Sequence, residues 1–235
     1  MSEPFFSTPA HLTVSSQLHL EALASSLSRV YTLQPAFRAE GSHTSRHLSE
    51  FWMFEAEIAF VEDINVLMDV VEDSLKNLLA NIRISPKVAS HQIQAHGDGD
   101  QLPVWLQKSY IGPWKRIAYT NAIEILNKGF RKPGDRLAWG DSLTINDERH
   151  LAGEWSDGVP VFVTNYPMAQ KPFYMRTNES KEQEQTVACF DLLVPEIGEL
   201  VGGSLREERE AELRAAIKRC GLDSRKYEWY LDLRR

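Results

Sequence analysis

The chain has 235 residues, 43% hydrophobic and 25% charged, with a formal net charge of −7. That length can bury roughly 70% of its unfolded surface, enough for one large domain or two small ones. The negative balance excludes bulk attraction to nucleic acid but allows a local basic site, and no apolar run approaches the roughly 20 residues that span a bilayer. The two cysteines, Cys189 and Cys220, lack metal-type spacing and are expected to be free thiols of a reducing compartment. The opening MSEPFFSTPAHL shows neither the basic-then-apolar order of a secretory signal nor the arginine content of a mitochondrial presequence.

Leu20, Leu23, Leu27 and Val30 recur at helical spacing and predict a helix over 17–30, with Ser15 or Ser16 as its cap. Two extended runs follow, 31–40 and 50–60, joined by a polar turn. Asp63 is placed to cap a long amphipathic helix carrying Ile64, Leu67, Met68, Val71, Leu75, Leu78 and Leu79. Residues 84–114 contain HQIQAHGDGDQLP and read as an insertion or loop. Helices are expected over 119–128 and 145–154. Strands are expected over 159–163, 173–176 and 186–194. A charged helix is expected over 207–220, stopped by Gly221. The last residues, YEWYLDLRR, are helical or mixed in register. The strands come as hairpins and the helices do not alternate with them, which predicts an α+β fold.

Three clusters carry candidate chemistry. In FRAEGSHTSRHLSEFWMFEAEIAF, Arg38 and Glu40 share a strand face by the two-residue period. An arginine there can grip a carboxylate or phosphate bidentately. Glu40 can accept from an amine, and Arg46 and His47 can reach a polyphosphate from the turn. The same text also fits a surface hairpin with solvated charges. In DLLVPEIGELVGGSLREERE, Asp191 and Glu199 flank a strand and turn where oxygen ligands for Mg²⁺ could converge. Gly202 and Gly203 allow close approach to a ligand, with Arg206 just beyond, although Gly-Gly-Ser is common in turns. In SSQLHLE, Gln17 and Glu21 share a helix face, which also suits an ordinary first turn.

Taken together, LTVSSQLHLEA, RVYTLQPAFRAEGSHTSRHLSEFWMFEAEIAF, PVFVTNYPMAQKPFYMR, DLLVPEIGELVGGSLREERE and YEWYLDLRR resemble the catalytic domain of asparaginyl-tRNA synthetase. This is a class II aminoacyl-tRNA synthetase family, with the aspartyl enzymes as nearest relatives. The resemblance implies an antiparallel sheet flanked by helices. It implies ATP-dependent activation of asparagine, with Mg²⁺, and transfer to the acceptor end of tRNA-Asn. Arg38 falls on the second-motif arginine that grips the α-phosphate, where charge grows during attack. Glu40 falls on the residue facing the adenine or the amino acid. Arg46 and His47 match loop positions that hold the γ-phosphate and adenine edge, and Glu50 has a supporting place. Gln17 matches a contact to amino acid and adenylate, and Glu21 would shape the same pocket. Asp191 and Glu199 match the Mg²⁺ carboxylates, with Glu199 also at the ATP. Arg206 matches the arginine that reads the amino-acid side chain.

Gly41 and His43 stand where the family commonly has asparagines, in a turn expected to bear on tRNA contacts. The family's third signature motif, a glycine-rich run ending in an ATP-clamping arginine, has no counterpart in these 235 residues. The same holds for its anticodon-binding barrel and for most of the first motif, which builds the homodimer interface. The expectation is therefore a partial catalytic domain over 1–235 with an insertion at 84–114, weak in amino-acid activation by itself. Its uncovered apolar surface is expected to make it prone to self-association. A degenerate paralogue that binds nucleotide or a protein partner without charging tRNA is the competing reading. An asparagine-synthetase-like enzyme is a third. The insertion and the altered turn favour a mitochondrial over a cytoplasmic form.

Overall fold

The computed structural model describes residues 6–8, 10–39, 41, 48–84, 104–110, 112–179 and 184–235. The chain folds as two units, Met1–Val61 with Asp223–Arg235, and Glu62–Leu222.

In the first unit, helix α1 (Gln17–Leu27) leads into an antiparallel pair, β1 (Arg29–Phe37) and β2 (Glu50–Ile58). The helix stops three residues before Val30, because Ser28 turns the chain left-handed at φ 66°. Val30 then begins the β-branched and aromatic run Val-Tyr-Thr, which packs better on a pleated sheet. Ser15 Oγ reaches the Gln17 N–H at 3.4 Å, but the closer anchor at the helix start is Glu55 on β2. Its two oxygens accept from the Ser16 N–H at 2.8 and 3.1 Å. A buried carboxylate thus supplies the negative charge that an N-terminus favours.

The pairing puts Ala36 and Glu55 on a buried face of the ladder. The opposite face presents Tyr31, Leu33, Trp52 and Phe54, with Trp52 70% and Tyr31 74% exposed. The closing residues form a short helix, α7 (Glu228–Leu231), flanked by 3₁₀ turns. Tyr230 and Leu231 are fully buried, and Trp229 stacks on His19 of α1.

The second unit is built on a four-stranded sheet, β3 (Lys115–Ala118), β4 (Val161–Thr164), β5 (Cys189–Val194) and β6 (Gly198–Ser204), in that order. β3 lies parallel to β4, and the other pairs are antiparallel. Helices cover both faces. On one, α2 (Ile64–Ile84) packs Met68 against Trp114, Phe162, Phe190 and Leu192. On the other, α4 (Tyr119–Gly129) brings Tyr119, Ile123 and Leu126 against Val161, Val163 and Leu193, joined by Leu151 directly after α5 (Ile145–His150). Alternate residues of β4 and β5 feed opposite faces, as the two-residue period requires.

Asp63 caps α2 as expected, its Oδ1 accepting from the Asn65 N–H at 2.9 Å. The stretch expected as an insertion contains a short helix, α3 (Val104–Lys108), and ends in buried Trp114. Trp114 donates its indole N–H to the Ser109 carbonyl at 2.9 Å. Residues 85–103 lie outside the described residues. The expected helix over 145–154 is α5 followed by a wider π-type turn, Leu151–Trp155. Its start is a full capping box between Thr144 and buried Asp147, which also pairs with Arg131. Burial would raise the Asp147 pKa, but Arg131 and Thr144 outweigh it and hold the carboxyl below its usual range.

Three strand expectations change. The 173–176 run makes only isolated bridges, Met175 to Arg206 and, just beyond, Thr177 to Val187. The 186–194 strand begins at Cys189. Gly202–Ser204, which had fitted a turn, belongs to β6. Gly203 sits over the Phe190 ring, where a Cβ would collide with it. The glycines therefore let a strand lie flat on an aromatic ring. α6 (Glu210–Arg219) is shorter than expected at its start and ends with Gly221 at φ 67°, as expected. Both cysteines are free; burial pushes the Cys189 thiol up to about 11, and Cys220 is exposed.

Candidate functional site

The candidate residues divide between the two units. The first holds Gln17, Glu21 and Arg38; the second holds Asp191, Glu199 and Arg206. Glu40, Arg46 and His47 lie outside the described residues.

Arg38 stands one residue past the end of β1, where its N–H bonds the Ser49 carbonyl at 3.0 Å. This bond extends the ladder by one step and fixes the backbone at the mouth of the turn. The exposed guanidinium lies 5.2 Å from the centroid of the Phe51 ring. An arginine so held keeps its planar fork on a π-surface without losing its donors. Gln17 opens α1, half-buried, directly after the residue anchored by Glu55. Glu21, one turn later, accepts from the Tyr230 hydroxyl at 2.5 Å and pairs with the buried Arg234. Its two oxygens are thus engaged by the closing segment, which makes it a wall of the helix face. Sequence reasoning had not linked Glu21 to residues more than 200 positions away, and had not singled out Glu55. The only sequence signal for Glu55 is an acidic residue in line with Phe51 and Met53 on one face of β2.

In the second unit Asp191 and Glu199 converge, and a bulge is the reason. Asp191 pairs with Gly202 and Leu192 with Val201, but Leu193 then pairs with Glu199, with a register shift between Leu192 and Leu193. Leu193 shares a face with Asp191. The extra residue therefore turns Glu199 onto the Asp191 face; in an unbroken ladder it would point away. A Cβ built on Gly202 would stand 3.1 Å from Glu199 Oε1 and 3.6 Å from Asp191 Oδ1. The missing side chain leaves a cradle faced by two carboxylate oxygens. The Glu199 N–H is itself held by Glu148 Oε2 at 3.1 Å.

Lys171, which sequence reasoning also passed over, bonds Asp191 Oδ2 at 2.6 Å and lies 4.0 Å from the Tyr166 ring centroid. Burial would lower its pKa, but the Asp191 charge and bond outweigh this and raise it. Burial and the same carboxylate push the Tyr166 hydroxyl well above its usual range. Arg206 lies beyond β6 with its guanidinium 4.7 Å from the Tyr174 ring centroid. Next to it, buried Glu207 accepts from the Arg209 Nε at 2.7 Å and from the Thr177 N–H at 3.2 Å. These bonds pin the strand end that presents Arg206.

The donor set suits a hard cation. Two carboxylate oxygens facing an open cradle match Mg²⁺, which takes one or two carboxylates and completes its shell from water and phosphate. Among the described residues no group of three or more His, Cys, Asp or Glu side chains is placed to hold a metal by itself. Hence a ligand's oxygens would have to complete the shell.

The chain belongs to the class II tRNA synthetases (D, K and N), whose family description matches residues 1–235. It is 44% identical over 236 residues to the asparaginyl-tRNA synthetase of Homo sapiens, covering 99% of this chain and 48% of that protein. It is 44% identical over 234 residues to the probable mitochondrial asparagine–tRNA ligase of Dictyostelium discoideum, covering 98% and 49%. Among solved structures it is similar to the asparaginyl-tRNA synthetase of Pyrococcus horikoshii complexed with asparaginyl-adenylate. That likeness has a TM-score of 0.84 at 36% identity, over 99% of this chain and 50% of that one. The chain therefore spans about half the length of these relatives. No helix among the described residues is long and apolar enough to cross a membrane.

Proposed function

We propose that this chain is the partial catalytic domain, over 1–235, of an asparagine–tRNA ligase, which activates asparagine with ATP and transfers it to the acceptor end of tRNA-Asn. The carrying observation is the bulged cradle: Asp191 and Glu199 face one open point on a strand whose glycines keep it clear. The identity to asparagine–tRNA ligases along nearly the whole chain supports the substrate.

In the reaction, the asparagine carboxylate attacks the α-phosphate of ATP and pyrophosphate leaves, giving the adenylate. The 3′-terminal hydroxyl of the tRNA then displaces AMP. Arg38 has the fork to grip the α-phosphate as negative charge accumulates there, which is where a fixed cation acts most strongly. Glu40, Arg46 and His47 would complete the nucleotide contacts from the turn. Gln17 and Arg206 would orient the amino acid, with Glu21 setting the wall behind Gln17. Asp191 and Glu199 would hold Mg²⁺, which when bound neutralises phosphate charge. A location in the mitochondrial matrix or the cytoplasm completes the proposal, with the insertion at 84–114 favouring the mitochondrial one; relatives bearing mitochondrial and cytoplasmic names both occur.

The test is binding of a non-hydrolysable asparaginyl-adenylate analogue to the purified chain, read by thermal shift and calorimetry. The asparaginyl analogue is expected to bind more tightly than the aspartyl one, and Arg206→Ala is expected to remove that preference. A preference for the aspartyl analogue would move the substrate to the sister enzyme. Asparagine-dependent pyrophosphate exchange by the 235 residues alone is expected to be weak, since they contain no third-motif arginine.

A further inference from the structure

Lys171 enters the carboxylate corner from the segment after β4, where the 3₁₀ turn Met168–Gln170 ends. Only 16% of its side chain and 11% of that of Asp191 reach solvent. The ammonium holds Oδ2 of Asp191, and Oδ1 faces the cradle with Glu199 Oε1. Two carboxylates aimed at one point repel, more strongly as water is excluded. A buried ammonium on one of them offsets part of that repulsion and fixes the carboxylate's rotation. An arriving divalent ion then meets these two carboxylates with the charge of one already offset by an ammonium. The Tyr166 ring beneath Lys171 keeps the ammonium in place from the side away from solvent.

We propose that Lys171 is a positioning residue for the cation. It stays paired with Asp191 when a divalent ion binds and keeps Oδ1 turned into the cradle. It also holds the protein's own affinity for the ion low, so that a ligand's oxyanions must complete the site. This inference rests on the reading of Asp191 and Glu199 as Mg²⁺ ligands.

The probe is Mn²⁺ titrated into the purified chain without nucleotide, followed by the electron paramagnetic resonance signal of the free ion. Lys171→Met removes the charge at similar length and is expected to tighten Mn²⁺ binding about tenfold, since a like charge a few ångströms away is gone. Lys171→Arg keeps the charge and is expected to stay within about twofold of the natural chain. A merely structural role predicts no gain in Lys171→Met. An unchanged or weaker affinity in that variant therefore overturns the proposal. Glu199→Gln is expected to weaken Mn²⁺ binding; unaffected binding there overturns the ligand reading itself, whatever Lys171→Met does. If Lys171→Met does not fold, the natural chain decides by reductive methylation of Lys171 read by mass spectrometry. Labelling is expected to be equally slow with and without saturating Mn²⁺. Faster labelling with Mn²⁺ would show the ammonium displaced and overturn the proposal.

Discussion

The two sheets of this protein solve the same problem at different strengths. The β1–β2 ladder buries one face and leaves Tyr31, Leu33, Trp52 and Phe54 on the other. The four-stranded sheet buries both faces, and β4 and β5 have no exposed residue. The difference bears on how each places its functional groups. Arg38 is positioned by the last bond of a two-stranded ladder. Asp191 is positioned by a core strand whose alternate residues are locked from both sides. A firmly held Asp191 and a more adjustable arginine follow from that contrast.

The largest expected effect lies in the second unit. Asp147→Asn leaves Arg131 without its anion and breaks the capping box, and is expected to cost about 3 kcal/mol in denaturant unfolding. Because the Asp147 pKa is lowered by folding, its contribution is present above the ordinary carboxylate value and lost as pH falls through the lower folded value. The gap between natural chain and variant is therefore expected to shrink below about pH 4. A gap that persists there would show that the pair is not the cause.

A smaller effect is expected in the first unit. Glu55→Ala removes the anchor of α1 and is expected to cost about 1–2 kcal/mol. Hydrogen exchange should quicken over 17–27 and stay unchanged over 189–194. Equal acceleration in both would erase the distinction between the two sheets. The smallest change is expected on the exposed face. Trp52→Ser with Phe54→Ser is expected to alter stability by less than about 0.5 kcal/mol. It should nevertheless reduce self-association in sedimentation velocity. A large loss of stability would mean that this face is covered in the folded chain.

Much of this architecture is legible in the sequence where local chemistry and tertiary packing agree. The α2 stripe behind Asp63, the paired runs around residues 31–58 and the stop at Gly221 are such places. The sequence is silent or misleading where they diverge. β3 is a four-residue strand beginning Lys-Arg, so it carries no apolar alternation to detect. Gly202–Ser204 has turn composition, yet its glycines answer to the Phe190 ring and the Gly202 cradle, which no local window contains. Val30 continues a helical spacing that Ser28 had already ended. Of the candidate site, the identities of Asp191 and Glu199 were readable from the resemblance. Their convergence was readable too, from the strand and turn between them, but the pairing irregularity that produces it was not. Lys171 and Glu55 were missed because their partners lie 20 and 39 residues away and are not adjacent on any one element.

The bulge in β6 makes the cradle depend on counting as well as chemistry. Leu200 is the unpaired extra residue and is 46% exposed. Substituting it should do little, so a scan of single replacements would pass over it. Deleting it would close the ladder with Glu199 still opposite Leu193 on the Asp191 face, whereas one residue inserted between Leu192 and Leu193 would pair with Leu200 and carry Glu199 to the face away from Asp191, with every carboxylate still present in the chain. Length variation opposite this bulge would thus be a way to silence such a site that comparing residue types alone would not reveal.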